Sequence, residues 1–343
     1  MMRSSYVVGQ WVRRERFYGR RQLLQTLLEP KASSVTWLAG LRRVGKTSVL
    51  RQIEHLAFSG STDLVPLYWD LEGTDDAAGL GEGLLDALYD AEDELLRIGV
   101  ALEDLDADDP WTGLEELVRQ LGAHGRRLLL LWDEAEALAG LPPTVRRQLA
   151  ASLARFEGAV VIATSGPRLR SGASLHGSLA ELTASRVETH YLGNLESNEA
   201  TSLACQDQIP DSSRPVLETE DVAEIVARSG AHPYLIQMLA KRTVELGNVE
   251  AAWIDLHADR SIEYFHRINF DLLSEAQQSV LRKIAEGASF DAASLSSTLS
   301  FLEAVGTTRR AHDGRYEIAN ESFAEWLRSL RSWDAGHDTM NPR

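Results

Sequence analysis

The residues Gly40-Leu41-Arg42-Arg43-Val44-Gly45-Lys46-Thr47 place two glycines, a lysine and a hydroxyl at the spacing Gly-x-x-x-x-Gly-Lys-Thr. That pattern is suited to holding a polyphosphate. Gly40 and Gly45 keep side chains out of the way, so that successive N–H groups and the first turn of the following helix face phosphate oxygens. Lys46 then sets an ammonium between the β- and γ-phosphates, and Thr47, followed by Ser48, offers its hydroxyl to Mg2+. Arg42 and Arg43 either add positive potential or a subunit contact, or stand as solvent-facing loop residues. The ligands expected of this loop are ATP and Mg2+.

A second constellation is Leu128-Leu129-Leu130-Leu131-Trp132-Asp133-Glu134, an apolar run ending abruptly in two carboxylates, the Walker-B pattern. Asp133 is expected to hold Mg2+ through water, and Glu134 to polarise the attacking water as general base, with Glu136 as the weaker candidate. A third run, Val160-Val161-Ile162-Ala163, ends in Thr164 and Ser165. Those hydroxyls either sense the γ-phosphate and the attacking water or satisfy loop backbone.

Such groups need a frame. Five short β-rich runs (34–39, 64–70, 127–132, 159–164 and 188–192) alternate with helical patterns (20–28, 46–58, 79–98, 111–121 and 144–156), the signature of a parallel sheet covered on both faces. After Asn194 apolar spacings of three and four dominate, around 200–205, 222–227 and 235–246, and predict a helical domain. Further helical patterns follow from Ser274 and over 295–302. Two short strands flank Asp313-Gly314, a hairpin signal, and a closing helix runs over 321–330. The expected fold is an α/β P-loop sandwich over 1–194, a helical domain over 195–265, a small α+β domain over 266–335 and a tail over 336–343.

At this point the sequence resembles the prokaryotic AAA+/STAND ATPases, including the archaeal-type ATPase family. Phe17-Tyr18-Gly19-Arg20 looks like the aromatic-Gly-Arg segment whose backbone lies against adenine in that group. Gly40 to Ser48 is similar to its P-loop, Asp133-Glu134-Ala135-Glu136 to its Walker-B turn, and His232-Pro233-Tyr234-Leu235 to the lid motif whose proline sits near nucleotide. Two positions depart: Arg21 stands where the family usually has Glu, and Ala231 where it often has Gly. The resemblance implies that the helical domain over 195–265 is a lid and that the α+β domain over 266–335 is winged-helix-like, as is usual behind such lids. It further implies an ATPase switch in which ATP closes the lid and favours self-assembly, often aided by an arginine of a neighbouring subunit. Candidates for that arginine are Arg146, Arg147, Arg155, Arg168 and Arg170.

The chain has 343 residues and a formal net charge of −16, unevenly spread. Residues 1–51 hold 11 Lys/Arg against 2 Asp/Glu, whereas 70–109 hold 15 Asp/Glu against Arg97 alone. The acidic stretch reads either as a solvated helix face or as a surface that receives the basic N-terminal region of a second copy. In 267–334 there are 8 Lys/Arg and 10 Asp/Glu, a poor footprint for duplex DNA, although Ser294, Ser296, Ser297, Thr298 and Ser300 or Arg309, Arg310 and Arg315 are candidate phosphate contacts. A lone cysteine, Cys205, permits no internal disulfide and reads as a small core residue. No apolar run is long enough to span a membrane, so a cytoplasmic protein is expected. The favoured reading is an ATP-driven switch acting on a protein partner, with an ATP-dependent homo-oligomer; the alternative is a DNA-associated ATPase of replication, transposition or repair.

Overall fold

The computed structural model describes residues 5–29, 35–60, 62–102, 110–155, 159–164 and 187–337. Its contacts divide the chain into two compact units. One comprises Trp11–Ala39 and Lys46–His190; the other comprises Met1–Gln10, Gly40–Gly45 and Tyr191–Arg343.

The α/β unit begins with α1 (Arg21–Leu28) and β1 (Val35–Gly40), continues through α2 (Lys46–Ser59), β2 (Leu64–Asp70), α3 (Ala77–Arg97), α4 (Pro110–Ala123) and β3 (Arg127–Asp133), and closes with α5 (Pro143–Arg155), β4 (Ala159–Thr164) and β5 (Val187–Leu192). The sheet order is β2-β3-β4-β1-β5, and β2 with β3, β3 with β4 and β4 with β1 pair in parallel. Helices on both faces explain why Leu128 to Leu131 form an unbroken apolar run rather than an alternating one, each at most 1% exposed. Trp69 and Trp132, side by side on β2 and β3, meet edge to face at 5.7 Å. Asp76 starts α3 by accepting a hydrogen bond from the Gly79 N–H, satisfying a donor that the helix itself leaves open.

The sheet register fixes where chemistry can occur. Ala39 pairs with Thr164, Trp132 with Ile162, and Asp70 with Asp133, so the carboxyl ends of four strands share one edge. That edge is where parallel α/β sheets carry their ligands.

The C-terminal unit is built on helices α6 (Ser197–Cys205), α7 (Thr219–Ser229), α8 (Pro233–Leu246), α9 (Val249–Ala258) and α10 (Arg260–Asp271). Then come α11 (Glu275–Ala285), α12 (Ser296–Ala304), a hairpin of β6 (Thr308–Arg310) and β7 (Tyr316–Ile318), and α13 (Glu321–His337). The hairpin lies where Asp313-Gly314 predicted it, with Arg310 opposite Tyr316. Residues 265 and 266 both fall inside α10, and the segment 286–295 between α11 and α12 contains turns but no helix or strand. His266 joins α10 to α13 through a 2.7 Å contact of Nε2 with Ser322 Oγ, beside the rings of Phe323 and Trp326. Burial pushes its pKa down to about 3, so this pair is a neutral hydrogen bond rather than an ion pair. Gly230, at φ 60°, caps α7 so closely against the Ala319 carbonyl that an added Cβ would lie 2.1 Å from its oxygen. Cys205 is partly buried. Among the described residues no helix is long and apolar enough to cross a membrane.

Candidate functional site

The loop after β1 has the conformation that its glycines predict. Gly40 is needed for space: a Cβ there would meet the Leu192 carbonyl at 2.8 Å and Val44 Cγ1 at 2.9 Å. Gly45 is needed for its backbone, at φ 103°, and nothing lies within 4 Å of where its Cβ would be. Leu41 and Val44 are buried and anchor the loop, while Arg42 and Arg43 are exposed. Lys46 opens α2 and is only 7% exposed, so its ammonium stands at the positive end of the helix dipole in a shielded place. A buried lysine beside a helix N-terminus is an arrangement that an anion stabilises. Thr47 is half-buried and Ser48 buried; Ser48 Oγ accepts a 3.1 Å hydrogen bond from the Val12 N–H.

At the end of β3, Asp133 is 3% exposed. Its Oδ2 accepts from the Tyr68 hydroxyl at 2.9 Å and its Oδ1 from the Glu134 N–H at 3.0 Å. Glu134 follows in the left-handed region, at φ 48°, a conformation costing about 1 kcal/mol or more for a residue with a side chain. Burial raises the Glu134 pKa to about 7, reinforced by the charge of Glu136 and a hydrogen bond from it, then by Asp133, and opposed by Lys46. A carboxyl poised near neutrality beside a lysine is equipped to exchange a proton with water.

A divalent ion fits this donor set only with help from a ligand. Among the described residues no group of three His, Cys, Asp or Glu could hold a metal by itself. One hydroxyl, Thr47, and one fixed carboxylate, Asp133, are the kind of incomplete set that Mg2+ accepts when waters and substrate phosphates complete it.

The other predicted residues are distributed as follows. Phe17 and Tyr18 are buried, and Gly19 and Arg20 are both left-handed, at φ 78° and 63°, turning the chain into α1. Arg21 is exposed on its first turn. Ala231 is also left-handed, at φ 59°, which gives a physical reason for glycine at that position in similar sequences. His232 is 7% exposed, meets Phe265 edge to face at 5.4 Å, and stands at the N-cap position of α8, whose first residue is Pro233, without a capping hydrogen bond from its side chain. Thr164 ends β4, but its side chain and the whole of Ser165 lie outside the described residues, as do Arg168 and Arg170 and the side chain of Arg155. Arg146 donates to the Ala139 carbonyl at 3.0 Å within its own chain, whereas Arg147 is exposed.

Two contacts of the loop escaped sequence reading. Asn269, buried on α10, accepts a 2.8 Å hydrogen bond from the Arg42 N–H and donates to the Phe265 carbonyl. Arg43 lays its guanidinium 4.6 Å from the centre of the Tyr234 ring, the residue after Pro233. Two helices of the C-terminal unit, α8 through Tyr234 and α10 through Asn269, therefore contact the loop that precedes Lys46. Asn269→Ala is expected to lower stability by about 1–3 kcal/mol, since the Arg42 donor loses its buried partner. Amide exchange should show faster exchange at Arg42; unchanged exchange there would mean that this bond does not hold the loop.

No protein-family model matches the sequence, and no curated protein does. Solved structures are similar over nearly the whole chain. A Walker-type ATPase of Pyrococcus abyssi superposes with a TM-score of 0.62 at 16% identity, covering 93% of this chain and 98% of that one. The ADP form of the Aeropyrum pernix ORC2 protein gives 0.48 at 13% identity, over 95% of this chain and 97% of that one. The Aeropyrum pernix ORC1 protein in complex with DNA gives 0.44 at 15% identity, over 91% and 93%. The chain has the P-loop NTPase fold, a five-stranded parallel sheet with helices followed by a helical C-terminal region, and over nearly its whole length that fold is similar to the Walker-type ATPase structure.

Proposed function

We propose that this chain binds and hydrolyses ATP with Mg2+ and works as a molecular switch of AAA+/STAND type on a protein partner. The observation that carries the reading is the pairing of buried Lys46, on the first turn of α2, with a Glu134 carboxyl raised to about 7 beside the fixed carboxylate of Asp133. The backbone of Gly40 to Lys46 and the Lys46 ammonium bind the phosphates. Thr47 and Asp133 would hold Mg2+, which neutralises phosphate charge when bound. Glu134 accepts the proton of the attacking water on a carboxylate oxygen. The turn of Phe17 to Arg20 and the His232-Pro233 corner are assigned to the base and lid contacts, and Thr164 or Ser165 to the γ-phosphate.

A protein partner is favoured over DNA by the hairpin module, in which each arginine already has an acid. Arg309 lies 3.5 Å from Glu317, Arg310 3.6 Å from Glu303, and Arg315 2.6 Å from Asp313. Phosphate binding there would compete with those exposed pairs. Self-assembly is read from charge: α3 exposes Glu82, Asp86, Asp90, Glu92 and Asp93, which complement the basic N-terminal region of another copy. Mass measurement with and without a non-hydrolysable ATP analogue, and with and without duplex DNA, tests this. Oligomers that need the analogue and loosen with salt are expected, and no DNA retention. A monomer at low salt with analogue and Mg2+ would overturn the assembly, and salt-sensitive DNA retention would favour a DNA-associated ATPase.

A further inference from the structure

Tyr68 sits in an apolar strand, 8% exposed, where phenylalanine would pack equally well. A buried hydroxyl is costly unless it is bonded, and this one donates to Asp133 Oδ2 at 2.9 Å, a bond strengthened by the acceptor's charge. With the Glu134 N–H on Oδ1, both oxygens of the carboxylate are held, and each keeps a lone pair for a further ligand. The Tyr68 ring is itself clamped: the Arg51 guanidinium carbon lies 3.3 Å from its centroid and 5.2 Å from that of Trp11. Arg51 is steadied in turn by two 3.1 Å bonds to Glu54. The segment carrying Trp11 is fastened along α2, turn by turn. Val12 donates to Ser48, Arg14 donates to Gln52 at 2.7 Å, and Arg13 lies 4.0 Å from Glu54. An unbroken line of contacts thus runs from the segment before Phe17 to the metal carboxylate.

We infer that Tyr68 and Arg51 are positioning residues for Asp133, and that the seating of the Trp11 segment on α2 sets the affinity of the site for its divalent ion. This rests on the Mg-ATP reading above. Tyr68 fixes the Asp133 carboxylate in place, and Arg51 acts through Tyr68. The test uses the full chain with a non-hydrolysable ATP analogue and Mn2+ as a spectroscopic probe, read by electron paramagnetic resonance, alongside analogue binding in EDTA and thermal melting. In Tyr68→Phe the Mn2+ concentration for half-saturation is expected to rise roughly tenfold, with analogue affinity in EDTA within about twofold of the parent. Arg51→Met should shift it about threefold and Trp11→Ala about twofold in the same direction, and the Tyr68→Phe/Arg51→Met double variant should do no worse than Tyr68→Phe alone.

An unchanged Mn2+ titration in Tyr68→Phe overturns the inference, even if the melting temperature falls, because a merely structural hydroxyl moves stability and not metal affinity. So does a double variant whose two effects multiply. If the parent chain shows no metal-dependent analogue binding, the nucleotide reading fails and this inference with it. If the parent binds and Tyr68→Phe matches it, only the inference fails.

Discussion

Lys46→Ala is expected to weaken ATP binding at least about 100-fold, because a charge-assisted contact to phosphate in a shielded site is worth about 3 kcal/mol. The lysine is 7% exposed and begins α2, where the helix dipole and loop N–H groups offer only partial charges. Without the ammonium, the phosphates keep only those partial charges and the Mg2+ that Thr47 and Asp133 would hold. Folding should survive, since removing a buried charge also removes its desolvation cost. Titration calorimetry with a non-hydrolysable analogue, beside a thermal melt, reads both. Unchanged affinity in a folded variant would remove Lys46 from the phosphate site.

Glu134→Gln is expected to leave ATP bound while turnover falls by about 100-fold or more, the usual loss when a general base is removed. The amide keeps the shape of the side chain but accepts no proton. Its pH behaviour separates this from a general disturbance. Burial and the charge of Glu136 raise Glu134 to about 7, so kcat/KM of the parent should fall as pH drops through 7, and Glu136→Gln should move that limb downward. The same shift acts on stability with a definite sign. The folded carboxyl binds its proton more tightly than the unfolded one, whose value is 4.5, so the folded state loses stability as pH rises from 4.5 to about 7. Full linkage would make that about 3 kcal/mol, and solvent screening of a half-buried group cuts it to about 1–2 kcal/mol. Glu134→Gln escapes this cost. It should melt higher than the parent above pH 7 and level with it below pH 4.

The parts of the site that sequence disclosed are those whose chemistry depends on neighbours along the chain. The loop from Gly40 to Thr47 and the acids at 133 and 134 declare themselves because spacing alone places backbone donors, ammonium and carboxylates at strand ends. The five strands were legible for a related reason, since a sheet buried on both faces demands runs such as 128–131. The hairpin at 313–314 followed from turn chemistry. What sequence withheld depends on pairs distant along the chain. Tyr68 reads as one more core residue of β2, and only the parallel register with β3 brings its hydroxyl to Asp133. Asn269 stands between Ile268 and Phe270 in a helix that the apolar spacing did not single out, and its bond to Arg42 spans 227 residues. The positive φ of Ala231 and Glu134 was equally hidden, because neither residue type announces a left-handed backbone.

Steady-state phosphate release from ATP by the full chain, measured in Mg2+ and in EDTA beside Glu134→Gln, tests the central claim most directly. The account predicts release that requires Mg2+ and nearly stops in Glu134→Gln while that variant still binds ATP. Equal release by the two chains, or ATP binding by the parent with no release at all, would contradict it.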